Sequence, residues 1–192
     1  MNLYFDTEFT GLRKDTTLIS IGIVSEDGRK FYAEFTDYDE SQCGDWIKQN
    51  VIKNLKLGGM GVGVSDTDED PALRIARGDK RYIYQEMNEW LSQFNTIQFI
   101  SDVCHYDFVL LIDLLTYGGT ALDLPENISA VCHDINQDIA RHFGDSDHEA
   151  FDMSREQIMN DLCGEDEIVK GDKHNALYDA EVIRAIHKAI CI

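Results

Sequence analysis

Two carboxylates, Asp6 and Glu8, interrupt an otherwise apolar and aromatic run from Leu3 to Phe9. On a strand, alternate side chains leave the same face. The spacing therefore gathers both carboxylates in one patch and sends Phe5, Thr7 and Phe9 to the other side. In a central, covered strand, like charges side by side are costly unless a cation neutralises them; on an edge strand the same pair is a solvated acidic face. Asp107 stands where a β-rich segment gives way to a helix pattern, and Asp179 lies in an apolar helix that also carries Ala180, Val182, Ile183 and Ile186. Taken singly, each is an ordinary acid compensating a helix dipole. His174, at the entry of that last helix, adds an imidazole with an ordinary pKa of about 6.5, suited to proton transfer at neutral pH. Carboxylate oxygens are the ligands that hard divalent cations require.

These residues need elements to hold them. After the first strand and a polar turn from Thr10 to Thr16, Thr17 to Val24 is nearly continuous in β-branched and apolar character. Glu26-Asp27-Gly28 carries turn chemistry, and Lys30 to Phe35 alternates. The pattern predicts a three-strand antiparallel meander. Trp46, Ile47, Val51, Ile52 and Leu55 mark one face of a helix over 46–57, and Ile83, Met87, Trp90, Leu91 and Phe94 mark another. Between them, Gly58 to Lys80 lacks periodicity and reads as a loop. Ile97 to Val103 reads as a strand leading into a helix from about Asp107 to Tyr117, with Gly118-Gly119 as its stop. A short strand over 130–132, a helix over 135–143, an acidic loop over 144–152, a helix over 154–163 and a last helix over 175–190 complete the chain. Strands first in a meander and then alternating with helices predict an α/β fold: a mixed sheet, part antiparallel and part parallel, flanked by helices. No repeat or linker divides it, so residues 1–192 are expected to form one domain.

Three segments of this chain resemble the motifs of the DEDDh 3′-5′ exonucleases, in order and at family-like spacings. Tyr4 to Leu12, with Asp6 and Glu8, is similar to the first; His105-Tyr106-Asp107-Phe108 to the second; and Lys173 to Ala180, with His174 and Asp179, to the third. Leu18 to Gly28 and Gly44 to Leu55 further resemble the ribonuclease-T-like branch, in the subgroup of the mycobacterial adenylate-preferring exoribonuclease. The resemblance implies a ribonuclease-H-like fold and 3′-5′ exoribonuclease activity on single-stranded RNA 3′ ends, releasing nucleoside 5′-monophosphates. It implies two Mg²⁺ ions, replaceable by Mn²⁺, on Asp6, Glu8, Asp107 and Asp179, with His174 as general base. It also implies a homodimer, and a terminal nucleotide resting on Phe9, Thr10, Gly11 and Leu12. Phe9 is a stacking aromatic or a core residue. For the second motif, Asp107 is preferred to Asp102 because it follows an aromatic and begins a helix. The alternatives are a 3′-5′ DNA exonuclease and an inactive ribonuclease-H-like module that binds a partner through its acidic surface.

Bulk properties set limits. With 17 basic and 36 acidic residues the net charge is −19, which disfavours an extended phosphate-gripping face but allows an enzyme that holds a few terminal nucleotides through bound cations. No apolar run approaches the roughly 18 residues that span a bilayer, and the first residues carry no signal-peptide pattern. Five scattered cysteines without a C-x-x-C pair point to reduced thiols and a cytoplasmic protein. Cys132 and His133, with the distant His142 and His148, do not make a zinc pattern, so no structural zinc is expected. Gly59-x-Gly61-x-Gly63 lacks a P-loop's Gly-Lys-Ser/Thr ending, and Asp66-x-Asp68-x-Asp70 lacks a calcium loop's glycine and final glutamate.

Overall fold

In the computed structural model, which describes residues 1–67 and 70–191, the predicted meander is present. Strand β1 (Asn2–Phe9) pairs antiparallel with β2 (Leu18–Ser25), and β2 with β3 (Lys30–Phe35). Among the described residues the sheet has seven strands in the order β4-β5-β3-β2-β1-β6-β7. The carboxylate strand β1 is therefore interior, and the edge-strand alternative for Asp6 and Glu8 is removed. Every β2 residue is buried, as a strand covered on both faces by apolar layers should be.

The segment expected as a loop over 58–80 instead contains two strands. β4 (Gly63–Asp66) pairs antiparallel with β5 (Leu73–Gly78), which runs parallel to β3 from Lys30↔Leu73 to Phe35↔Gly78. Its apolar signal is diluted by Arg74 and Arg77, whose heads reach Glu86 and the Met60 carbonyl; only pairing with β3 makes it a strand. Asp68, of the rejected calcium pattern, lies outside the described residues; Asp70 takes a hydrogen bond from Lys30 Nζ.

The helix expected over 46–57 is α1 (Asp45–Asn50) followed by a 3₁₀ turn, Ile52–Asn54. The break lies at Val51, after which the Asn54 amide bonds the Asn50 and Lys173 carbonyls. Helix α2 (Lys80–Leu91) is capped by Asp79, β6 (Gln98–Ser101) runs parallel to β1, and α3 (Cys104–Leu115) starts three residues earlier than expected. The short strand β7 is His133–Asp134, displaced from 130–132 because its pairing is with Ile100 and Ser101. Helix α4 (Ile135–Phe143) follows as expected.

The acidic segment expected as a loop over 144–152 contains α5 (Asp147–Asp152). A capping box forms it: Ser146 accepts from the Glu149 N–H, and Glu149 accepts from the Ser146 N–H. Helices α6 (Arg155–Leu162) and α7 (Ala176–Ile190) complete the fold. Leu3 and Phe5 of β1 pack toward α2 and α3, whereas Tyr4 packs with Ile139, Ile158 and Ile183 of α4, α6 and α7. The alternation read from the sequence thus separates the two apolar layers.

The approach of α7 to the sheet depends on one glycine. Gly22 of β2 lies directly opposite Asp6, and a Cβ there would stand 2.3 Å from the Ala176 carbonyl oxygen and the Leu177 nitrogen. Without a side chain at 22, the first turn of α7 rests on the strand next to Asp6.

Candidate active site

Parallel strands β1 and β6 end on the same side of the sheet, and the N-termini of α3 and α7 meet them there. Asp6 and Glu8 come from β1, Asp107 from the first turn of α3, and Asp179 from the first turn of α7. Ligand-capable oxygens of Asp6, Asp102 and Asp107 lie within 4.8 Å of one another, as do those of Glu8 and Asp179 and a ring nitrogen of His174. All five expected residues open onto one cavity of ≈ 700 Å³.

Each side chain is held from behind. The Thr7 hydroxyl, on the opposite face of β1, donates to Asp107 Oδ1 at 2.6 Å, and the Ser101 hydroxyl donates to Oδ2 at 2.9 Å. Asn175 caps α7 by accepting from the Tyr178 N–H, and its amide donates to the Asn54 carbonyl and the Tyr32 hydroxyl. His174 has a left-handed backbone with φ 63°, a costly conformation for a residue with a Cβ, kept here by its N–H bond to Asp179 Oδ2 at 2.9 Å. Its Nδ1 is 3.9 Å from Glu8 Oε1, and its ring meets Trp46 edge-on at 5.0 Å.

The electrostatics ask for a cation. Burial, then the charges of Asp107, Asp179, Glu8 and Asp102, push Asp6 well above the carboxylate range. Burial with Asp179 and Asp107 pushes Glu8 up to about 9. Burial raises Asp107 to about 7 against the opposing hydrogen bond from Thr7, and burial with Asp102 raises Asp179 to about 7. Asp6 Oδ2 is enclosed without a hydrogen-bond partner. A buried group of carboxylates with an orphaned oxygen is what a hard divalent cation would complete, so these residues fit such an ion. His174 is held below the usual histidine range by burial and by Lys173, and is therefore neutral at pH 7.

The preference between Asp102 and Asp107 resolves into two environments. Both reach Asp6, but Asp102 Oδ2 is paired with Arg155 Nε at 3.0 Å in a largely covered ion pair, while Asp107 takes two hydroxyl bonds. Arg155 also donates to the Ala150 and Met153 carbonyls, fixing the α5–α6 corner against the site. Nothing in the local sequence announces that role.

Phe9 lines the cavity, contrary to ideal alternation, because the β1–β2 register slips between Glu8 and Phe9; its ring stacks on Tyr106 at 5.4 Å. Gly11 and Leu12 line it as well. Thr10 departs from the expectation. It is 1% exposed and its hydroxyl donates to Gln42, so it pins the turn and does not face the cavity. Trp46, expected on the buried face of its helix, is 55% exposed at the cavity rim, whereas Ile47 and Val51 form the face that packs with Ile19 of β2.

A family model, described as the 3′-5′ exoribonuclease Rv2179c-like domain, matches residues 1–191. Two relatives from Mycobacterium tuberculosis are similar in sequence. They are the 3′-5′ exoribonuclease Rv2179c of strain ATCC 25618 / H37Rv and the 3′-5′ exoribonuclease MT2234.1 of strain CDC 1551 / Oshkosh. Each is 30% identical over 139 residues, 71% of this chain and 73% of the relative. Among solved structures, a 3′-exonuclease described in 3′-end-specific recognition of a histone mRNA stem-loop superposes with TM-score 0.58 and 12% identity, over 96% of this chain and 61% of that one. A full-length 3′-exonuclease superposes with TM-score 0.56 and 12% identity, over 96% of this chain and 78% of that one. These structural likenesses bear on the fold, which is the ribonuclease-H-like mixed sheet expected from the sequence.

Proposed function

Because the chain belongs to the 3′-5′ exoribonuclease Rv2179c-like domain family, we propose that it shortens single-stranded RNA from the 3′ end, releasing nucleoside 5′-monophosphates. The observation that carries this reading is the convergence of Asp6, Glu8, Asp107, Asp179 and His174 on one cavity. Two Mg²⁺ ions, or Mn²⁺ in their place, would be held by the four carboxylates and would supply charge neutralisation at phosphorus and a readily deprotonated water.

The chain's own groups supply the rest. His174, neutral at pH 7 and beside Glu8, accepts the proton of the attacking water. Its edge contact with Trp46 and the Asp179 bond to its backbone fix the ring's direction. Phe9 and Trp46 offer aromatic faces to terminal bases, a contact worth about 1–3 kcal/mol per base and tolerant of sequence. Lys173, at the rim and paired with Glu156 at 3.3 Å, is the side chain best placed to meet a phosphate. Residues 1–192 act as one exonuclease domain, working as a homodimer in the cytoplasm, where the five cysteines stay reduced.

The test is 5′-labelled RNA incubated with Mg²⁺ and read as ladders, with a chelator control and matched single-stranded DNA. Stepwise 3′ shortening of RNA, abolished by chelation, is expected. Equal rates on DNA would favour a 3′-5′ DNA exonuclease, and cutting of circular RNA would overturn the exonuclease reading. Absence of any cleavage with either ion would leave the inactive binding module. Light scattering reads the dimer.

A further inference from the structure

A second cluster of metal-ligating side chains lies at the opposite end of α7. His133 of β7, Asp138 of α4 and His187 of α7 each present one ligand atom, and the three atoms fall within 4.8 Å of one another. His133 Nε2 contacts Asp138 Oδ2 directly, Arg141 holds the other Asp138 oxygen, and the two imidazole rings stand edge-on with centroids 5.8 Å apart. Asp138 is well covered, its side chain only 10% exposed, whereas His133 is 36% exposed and faces the surface. The cluster is remote from the carboxylate cavity: eight residues of helix separate His187 from Asp179, roughly 12 Å along the axis.

His187 is oriented in the way a metal-ligating histidine is. Its Nδ1 lies 3.0 Å from the hydroxyl oxygen of Tyr4, a residue 1% exposed and otherwise packed among isoleucines and valine. When Nδ1 carries the ring proton and donates it to that oxygen, Nε2 keeps its lone pair for a ligand. A buried partner of this kind fixes both tautomer and ring direction. It also explains a phenol hydroxyl inside an apolar layer.

We propose that His133, Asp138 and His187 form a second metal site that takes one Zn²⁺ or a similar borderline divalent ion, with water in the remaining tetrahedral position. Two imidazole nitrogens and one carboxylate oxygen suit zinc, whereas Mg²⁺ prefers all-oxygen surroundings. The ion replaces the direct His133–Asp138 contact and ties the end of α7 to the β7–α4 corner. Sequence spacing shows no zinc pattern because the ligands come from three elements and include no cysteine pair; only the fold assembles them.

The test is Co²⁺ and Zn²⁺ titration of the full chain in excess Mg²⁺, read by metal analysis, the visible absorption of Co²⁺ and the thermal midpoint. One Co²⁺ per chain with tetrahedral absorption is expected, together with a rise in midpoint on adding Zn²⁺. Asp6→Asn should keep this ion, whereas His133→Gln and His187→Gln should bind it at least tenfold more weakly. His133→Gln changes a surface-facing ring, so it remains informative if His187→Gln fails to fold. Wild-type protein that takes up no Co²⁺ above excess Mg²⁺ would overturn the site. So would undiminished binding in His133→Gln, or loss of the ion in Asp6→Asn, which would locate it in the carboxylate cavity.

Discussion

At the scale of the residue, Asp6 is both the least comfortable group in the fold and the one on which the proposed chemistry turns. Its enclosed, unpartnered Oδ2 and its four carboxylate neighbours favour the neutral acid in the absence of a cation. Asp6→Asn should therefore abolish RNA shortening and weaken Mg²⁺ binding, yet raise the thermal midpoint of the metal-free protein by a few degrees. A midpoint that falls would show that the carboxylate is not under strain. His174→Gln separates a base from a ligand: the rate should drop by about 10² to 10⁴ while Mg²⁺ affinity stays near wild type. Loss of affinity would make His174 a ligand. For the second motif, Asp107→Asn should be inactive, whereas Asp102→Asn should retain turnover with a loosened Arg155 corner. The reverse pattern in parallel rate assays would transfer the ligand role to Asp102.

At the scale of the element, the site depends on how closely α7 lies on β2. The contact at Gly22 leaves no room for a methyl group, since the nearest backbone atoms would be 2.3 Å away. Gly22→Ala should cost about 1–3 kcal/mol through overpacking and should carry His174 and Asp179 away from Asp6. The expected result is a lower thermal midpoint together with a reduced rate measured well below it. A variant unchanged in both would mean that α7 adjusts freely and does not set the site's geometry. The register slip after Glu8 is a second device of this kind, because it turns Phe9 from the core side into the cavity.

At the scale of the molecule, the raised carboxylates fix the sign of the pH dependence. Glu8 at about 9 and Asp107 and Asp179 at about 7 bind protons more tightly folded than unfolded, where carboxyls titrate at about 4. Between those limits the folded state holds more protons, so the stability of the metal-free protein falls as pH rises. Thermal midpoints of chelated protein should therefore decline from about pH 5 to about pH 8, and saturating Mg²⁺ should flatten the slope by replacing those protons. A chelated midpoint that rises over the same range would contradict the assignment. Below about pH 4 the sign reverses, because surface carboxyls held low by their partners, such as Asp172 beside Lys56, then lose those contacts. The net charge of −19 acts at this scale too. A cavity rimmed by few cations grips few phosphates, which favours release between cuts and a mild salt dependence.

The sequence by itself determined the meander, the α/β class and the identity of the five residues that share the cavity. The first two rest on local order, such as period-two alternation in β1, and the five residues rest on the resemblance of three short segments to the DEDDh motifs. It was silent wherever identity depends on a distant partner. β5 is a strand because β3 offers it an edge, Trp46 lies at the cavity because His174, far along the chain, packs against it there, and Asp102 meets Asp6 only because β6 runs parallel to β1. The helix over 147–152 was an exception. Its capping box, Ser146 with Glu149, is a local signal that the sequence carries. Tertiary structure alone decided that His133, Asp138 and His187 stand together, since a metal site built across three elements leaves no spacing to read.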